Sequence, residues 1–168
     1  GAINTDCLCQ VEEIVTEGET IIDHVKTAPG GSAANTIYGL AKLGVRTGFI
    51  GAIGDDEKGR ASIQAFKTVG EDTSQIRIKE REKTGCALCL SDKLGRRSIY
   101  VLPGANNLLD RQDIDLNYGK KAKTKPVTYY AGDRQFNIQI ELAEKLPNSV
   151  KISFAPGMLY AIKGIKTL

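Results

Sequence analysis

An alternation of strands and helices in the first half of the chain restricts the fold more than any other feature of the sequence. A glycine-rich loop at Ala28–Asn35 leads into apolar residues at helical spacing, and Gly44 marks the expected end of that helix. Val45–Ile53 is then almost continuously apolar, which is typical of a strand in a buried parallel sheet. The turn at Gly54–Asp56 opens a second helix, which ends at Gly70. This order predicts an α/β fold with a mainly parallel central sheet.

Two stretches, approximately residues 7–27 and 76–102, break this alternation, because each has the pattern of a hairpin. They predict a small separate sheet beside the main fold. The chain then returns to the alternating order, with a strand predicted at Pro126–Tyr130, a helix at Asp133–Leu146 and a strand at Val150–Phe154.

Composition excludes several classes of protein. The 168 residues are 41% hydrophobic and 26% charged, which is ordinary for a globular domain and unlike a collagenous or disordered chain. No apolar run approaches the roughly 18 residues of a membrane helix, and we expect no secretory leader, since Asn4 and Asp6 interrupt the first stretch. The 23 basic and 20 acidic residues nearly balance. We therefore expect a cytoplasmic protein without a membrane or nucleic-acid partner.

Charge is unevenly distributed along the chain. From Gly119 onward there are nine Lys or Arg and three Asp or Glu, against fourteen and seventeen before it. Such an excess is typical of a solvated basic face. The alternative is that acidic partners of the second half are missing from this chain.

The four cysteines, Cys7, Cys9, Cys86 and Cys89, have the spacing C-x-C and C-x-x-C, which resembles a zinc or redox set. Both pairs fall in strand-like sequence, where residues three apart point to opposite faces. Cys86 and Cys89 could then not bind one ion. We expect small buried hydrophobic side chains in a reducing compartment and no metal, with a redox or zinc protein as the alternative.

Three clusters of small and polar residues lie where ligands of open α/β sheets collect, at strand ends and helix starts. The clusters are Asn4 with Asp6 at the end of the first strand, Gly30 and Gly31 with Asn35 at a helix start, and Gly132 with Asp133. None of the clusters carries the group of basic residues expected for a multiply phosphorylated substrate. Carboxylates and amides instead suit a neutral polyol, because one carboxylate can accept hydrogen bonds from two hydroxyls. Structural alternatives exist for each cluster: a turn cap for Asp6, simple turn glycines, and a helix N-cap for Asp133.

The run from Pro29 to Gly59 resembles the first signature of the ribokinase family, also called PfkB carbohydrate kinases. It has the glycine pair, the asparagine near the helix start and the Gly-Asp of the GDD turn at the family's spacing. The opening GAINTD, Thr84–Cys89 and Pro103–Asn106 resemble the family's first strand, its TGxAxx strand and the loop that follows. The resemblance covers essentially the whole chain.

Within the family, the chain is most similar to an archaeal branch that includes nucleoside kinases, through Ala131–Phe136 and Phe154–Gly157. Ser32 stands where ribokinases usually have a Lys. That difference argues against ribose specifically and favours this branch. Ala155 stands where the branch usually has an Asp.

The resemblance implies a Rossmann-like α/β/α sandwich, in which residues 1–168 form the N-terminal part of a ribokinase-like domain. Residues 7–27 and 76–102 would form a small β-sheet lid, which often carries a homodimer interface in the family. It further implies transfer of the γ-phosphate of ATP to a hydroxymethyl group of a sugar or nucleoside. ATP and Mg²⁺ would serve the full-length enzyme.

The resemblance also assigns residues to acceptor binding. They are Asn4, Asp6, Gly30, Gly31, Asn35, Ala87, Cys89 and Asp133. Asp6 would hold two ring hydroxyls with Asn4 beside it, and Asp133 would supply a further acidic contact. Gly31 and Asn35 would contact the sugar from the helix start, while Ala87 and Cys89 would form an apolar wall from the lid.

The family's catalytic Gly-Ala-Gly-Asp motif is absent from this sequence. Ala131–Asp133 is not taken for it, because Tyr129 and Tyr130 precede it where the family has Asp-Thr-x-Gly. We therefore expect a chain truncated at both ends, with the catalytic Asp and the ATP site outside it and no kinase activity on its own. The alternative function is a non-enzymatic module that binds a polyol or nucleoside.

Overall fold

The computed structural model of the chain describes residues 1–128 and 132–163. The strands are β1 Asn4–Val11, β2 Ile22–Gly30, β3 Gly51–Gly54, β4 Ile76–Lys79, β5 Gly85–Ser91, β6 Arg97–Leu102, β7 Thr124–Thr128 and β8 Lys151–Ala155. The helices are α1 Ser32–Lys42, α2 Glu57–Thr68, α3 Leu116–Lys120, α4 Asp133–Lys145 and α5 Gly157–Lys163, with 3₁₀ turns at Gly104–Leu108 and Arg111–Asp113. Strands and helices alternate over most of this length, as the apolar pattern predicts.

Four strands form a sheet in the order β2-β1-β5-β6. β1 is antiparallel to β2 and parallel to β5, and β5 is antiparallel to β6. β2 continues to Gly30, so the first half of the predicted loop Ala28–Asn35 is strand, paired with the first residues of β1. An edge strand tolerates Pro29, which has no backbone N–H to donate.

β3 has helices against both of its faces, which gives a three-layer arrangement. Neighbouring residues of a strand point to opposite sides. Ala52 packs in one apolar cluster with Phe136 of α4, and Ile53 packs in the other with Ile37 of α1 and Phe66 of α2. This accounts for the apolar character of Gly51–Gly54, since neither face of β3 meets water.

Several predicted boundaries are wrong. Val45–Ile53 becomes regular strand only from Gly51, because residues before it meet an irregular segment and form one isolated bridge, between Gly48 and Asp72. Ile76–Lys79 pairs with β3 in a parallel ladder and does not join the four-stranded sheet, although it lies in the stretch 76–102 expected for the lid. The strand predicted at Pro126–Tyr130 is β7, and its last two positions lie outside the described residues.

The cysteines are free thiols; Cys9 is buried as expected, whereas Cys7, Cys86 and Cys89 are only partly buried. Cys86 and Cys89 lie three apart on β5, on opposite faces of the sheet. Within residues 1–128 and 132–163, no group of three His, Cys, Asp or Glu side chains is placed to hold a metal ion. None of the described helices has both the length and the apolar character needed to cross a bilayer.

Candidate functional site

A concave pocket of about 150 Å³ opens on one face of the four-stranded sheet. Five residues assigned to acceptor binding line it: Asn4, Asp6, Gly31, Ala87 and Cys89. The remaining wall and floor include Ser32 from the start of α1, Ile99 and Val101 from β6, and Asn106 from the 3₁₀ turn. The pocket thus joins one face of the sheet to the start of a helix.

Strand register explains why these side chains meet. Asp6 of β1 is paired with Ala87 of β5, which is paired with Val101 of β6. Cys89 lies two residues beyond Ala87 and is paired with Ile99. Residues two apart share a face, so β1 supplies polar groups and β5 and β6 supply an apolar wall to the same space. Such a surface suits a molecule with hydroxyls on one edge and C–H groups on another.

Asp6 is a half-buried carboxylate without a hydrogen bond or ion pair to any described residue. Burial raises the pKa of Asp6 above its usual value. Gly30 lies against it, and a Cβ at that position would overlap both carboxylate oxygens. A larger residue at position 30 would therefore displace this carboxylate, whose two oxygens are available here to accept hydrogen bonds from a ligand.

Asn4 accepts a hydrogen bond from Asn106, which lies under the pocket and is only 2% exposed. Asn106 Nδ2 donates to Asn4 Oδ1 at 2.9 Å, to the Ile3 carbonyl at 3.0 Å and to the Pro103 carbonyl at 3.0 Å. Asn106 Oδ1 accepts from the Ile3 backbone N–H at 2.9 Å. The 3₁₀ turn and the start of β1 are thereby joined under the pocket.

Two more glycines permit this close approach. A Cβ on Gly85 would collide with Asn106 Nδ2 and Asn4 Oδ1, where the two amides meet. Gly31 adopts φ +101°, and a Cβ there would lie 2.5 Å from the Ala2 carbonyl oxygen. Its left-handed backbone turns the chain from β2 into α1 and brings the start of α1 to the pocket.

A second carboxylate, Asp56, lies at the GDD turn and is used differently. Asp56 Oδ1 accepts from the Gly59 N–H at 2.9 Å and the Thr84 hydroxyl at 2.5 Å, and Oδ2 accepts from the Thr84 N–H at 2.9 Å. Partial burial alone would raise the pKa of Asp56, but these hydrogen bonds outweigh it and hold the pKa below its usual value. Asp56 caps α2 and ties it to the residue before β5.

Other predicted positions lie elsewhere. Asn35 is exposed on α1, where its N–H donates to the Gly31 carbonyl, and Asp133 is the exposed first residue of α4. Neither lines the pocket. Asn4 and Asp6 lie at the start of β1 and not at a strand end, because the strand continues into the four-stranded sheet.

Sequence reasoning missed the two residues under the pocket, Asn106 and Gly85. Both belong to motifs that the resemblance includes, Thr84–Cys89 and Pro103–Asn106, so the family pattern marks the segments. No local pattern marks the contact, because it joins residues about a hundred positions apart.

Comparison with known proteins decides the family. The family profile described as pfkB family carbohydrate kinase matches residues 1–140. The chain belongs to this family. An uncharacterised sugar kinase of Archaeoglobus fulgidus is 32% identical over 130 residues, which are 76% of this chain and 50% of that protein. The predicted resemblance to ribokinase-like kinases is thus confirmed.

Solved structures of the family confirm the α/β fold. The ribokinase of Thermotoga maritima superposes with a TM-score of 0.79 at 26% identity, over 90% of this chain and 50% of that one. An Arabidopsis thaliana ribokinase complexed with ribose and ATP gives a TM-score of 0.76 at 27% identity, over 92% and 51%. The chain spans about half the length of these relatives.

Proposed function

We propose that the protein containing this chain transfers the γ-phosphate of ATP to a hydroxymethyl group of a sugar or nucleoside, and that the chain binds the acceptor. The observation that carries the proposal is the unpaired Asp6 carboxylate beside the Asn4 amide, facing an apolar wall in one pocket. Two adjacent hydroxyls can donate to the two carboxylate oxygens. A buried group of this kind rejects an analogue that lacks the hydroxyl by up to about 10⁴-fold.

The acceptor that fits the pocket is uncharged. Asp6 is the charged side chain of the lining, and none of the described lining residues is Lys, Arg or His. A phosphate group beside an unpaired carboxylate would be repelled rather than held. A neutral sugar is further supported by the Arabidopsis ribokinase, whose structure holds ribose and ATP.

The other assigned residues belong to the same proposal. Gly30 and Gly31 give the backbone its approach to the acceptor. Asn35 and Asp133 lie outside the pocket lining, and their contact with the acceptor stays a prediction of the family resemblance. Ala87 and Cys89 form the apolar wall. ATP would supply the γ-phosphate, and Mg²⁺ would accompany it as the cation. The residues described in this chain bind and orient the acceptor.

The four-stranded sheet is the proposed lid, and its second face is the proposed site of homodimer contact. Register places Val25, Tyr100 and Leu102 on the face turned away from the pocket. All three are more than half exposed. An apolar sheet face of this kind is stabilised when a second copy covers it. Analytical ultracentrifugation of the protein and of the Tyr100→Lys variant would test the dimer.

A transfer assay tests the function directly. The protein expressed from its complete coding sequence is incubated with radiolabelled ATP and ribose, fructose or a panel of nucleosides. We expect labelled product with at least one acceptor, and none from residues 1–168 alone. Binding without transfer in the complete protein would favour a non-enzymatic polyol- or nucleoside-binding module. If the complete protein neither binds nor phosphorylates any of these acceptors, the proposal is overturned.

A further inference from the structure

We infer that Asn106 is a positioning residue: it fixes which end of the Asn4 amide faces the acceptor, and so gives the pocket one donor group and one acceptor group. The inference rests on the proposed function for the identity of the ligand. The orientation of the two amides rests on hydrogen bonds within the chain and can be tested separately.

The orientation of Asn106 is set by the backbone around it. Its Oδ1 accepts from the Ile3 N–H at 2.9 Å, and its Nδ2 donates to the carbonyls of Ile3 and Pro103, both at 3.0 Å. A reversed amide would turn Oδ1 toward two carbonyl oxygens and Nδ2 toward an N–H. Asn106 is only 2% exposed, so the reversed amide would lose these hydrogen bonds with little solvent to replace them. One orientation is therefore enforced.

The orientation of the Asn106 amide also determines the orientation of the Asn4 amide. The Asn106 Nδ2 group can only meet an acceptor, so Asn4 must turn Oδ1 toward it, as the 2.9 Å hydrogen bond shows. Asn4 Nδ2 is then the part of this amide left for a ligand, because Asn4 lines the pocket. Gly85 makes the arrangement possible, since any side chain there would occupy the space where the amides meet.

This arrangement gives the pocket a defined polarity. The Asp6 carboxylate can only accept hydrogen bonds, and the Nδ2 group of Asn4 can only donate them. A hydroxyl satisfies both, because it donates to Asp6 and keeps lone pairs for Asn4. A methylene or an ammonium group opposite Asn4 would leave the amide N–H groups unpaired, which costs binding free energy. The site therefore favours hydroxyl or ether oxygen at that position.

Binding of deoxy analogues separates positioning from a merely structural role. Whichever of ribose, fructose or adenosine binds the complete protein is compared with its monodeoxy analogues by calorimetry. We expect one analogue to bind about tenfold or more weakly than the parent. In Asn106→Ala this ratio should fall but stay above one, because the Asn4 amide can then rotate while the hydroxyl still donates to Asp6. An unchanged ratio in the folded variant would overturn the inference, since loss of stability alone lowers both affinities equally.

Asn4→Asp provides a second test if Asn106→Ala fails to fold. A carboxylate at position 4 still accepts from Asn106 Nδ2, so the floor is preserved, but the donor facing the ligand is lost. We expect about tenfold weaker binding of the parent sugar or nucleoside. Binding equal to that of the unmodified protein would show that Asn4 presents oxygen to the ligand, and would overturn the inference.

Side-chain amide exchange decides the point without any ligand. In the ¹⁵N-labelled protein the Asn106 NH₂ hydrogens should exchange with D₂O more slowly than those of Asn4, which lines the pocket. Slow exchange at Asn4 with rapid exchange at Asn106 would contradict the assigned orientation. Absence of any sugar or nucleoside binding would instead overturn the proposed function, so the two failures are distinguishable.

Discussion

Asp6 and Asp56 are carboxylates of the same fold with opposite surroundings. Asp56 accepts hydrogen bonds from Thr84 and Gly59, and its pKa lies below the usual value. Asp6 has no such partner among the described residues, and burial raises its pKa. The carboxylate oxygens of Asp56 accept hydrogen bonds from within the chain, whereas those of Asp6 are available to a molecule in the pocket.

The difference shows that residue type does not identify a functional carboxylate. A satisfied carboxylate stabilises the fold, whereas an unsatisfied one lowers the stability of the empty protein and is retained when a ligand completes it. The comparison predicts that removing Asp6 weakens function with little loss of stability, and that removing Asp56 does the reverse.

The largest expected effect is that of Asp6→Asn on acceptor use. The amide keeps one acceptor oxygen and places an NH₂ group where a hydroxyl donates, so kcat/KM should fall about 10³-fold. The melting temperature should stay the same or rise, because a partly buried unpaired charge is removed. Steady-state kinetics and thermal melting measure the two. A variant with full activity would show that Asp6 does not contact the acceptor.

Asp56→Ala should destabilise the protein by about 3 kcal/mol, because α2 loses its cap and the buried Thr84 loses its partner. Urea unfolding measures this free energy. Asp55→Asn is the matched control, since Asp55 is exposed and its ion pair with Arg60 lies at the surface. Its effect should stay within about 0.5 kcal/mol. If fully folded Asp56→Ala no longer binds the acceptor, Asp56 is needed for binding as well as for stability, and the predicted difference from Asp6 is wrong.

Glu71 sharpens the comparison, because it is unpaired but lies away from the pocket. It is 4% exposed, both carboxylate oxygens lack a partner among the described residues, and burial raises its pKa to about 7 from 4.5. The folded state then holds a proton that the unfolded state has released, so stability should fall as pH rises from about 4.5 to 7.

Glu71→Gln should remove that pH dependence and raise the free energy of unfolding at pH 8 by roughly 2 kcal/mol. Urea unfolding between pH 5 and 8 measures it. Glu144→Gln, at an exposed position of α4, is the control and should change stability by less than about 0.5 kcal/mol. If the free energy of unfolding depends on pH equally in Glu71→Gln and in the unmodified protein, Glu71 is ionised in the folded state.

The smallest effect is expected for Gly30→Ala. The added methyl group would displace the Asp6 carboxylate, so acceptor affinity should fall about tenfold, a loss of about 1.4 kcal/mol. Gly39→Ala is the control, because a Cβ at that position of α1 meets nothing within 4 Å. It should stabilise the helix by up to about 1 kcal/mol without changing affinity. Equal affinities for both variants would show that Asp6 tolerates displacement.

Much of this architecture could be predicted from the sequence, and the remainder could not for physical reasons. Apolar periodicity located α1, α2 and α4, because the buried face of a helix repeats locally. The pairing of Ile76–Lys79 with β3 and the floor contact between Asn4 and Asn106 depend on how distant segments pack. Asp6 and Cys89 were placed together only through the family resemblance.

None of the described residues that line the pocket is Lys, Arg or His, and this bears on product release in the proposed reaction. A neutral acceptor that gains a phosphoryl group acquires a charge of about −1.5 to −2 at neutral pH. In the proposed reaction the Asp6 carboxylate, which accepts hydrogen bonds from the hydroxyls of the acceptor, would then repel the phosphorylated product. The negative charge of Asp6 would thus favour both the binding of a neutral acceptor and the release of the phosphorylated product.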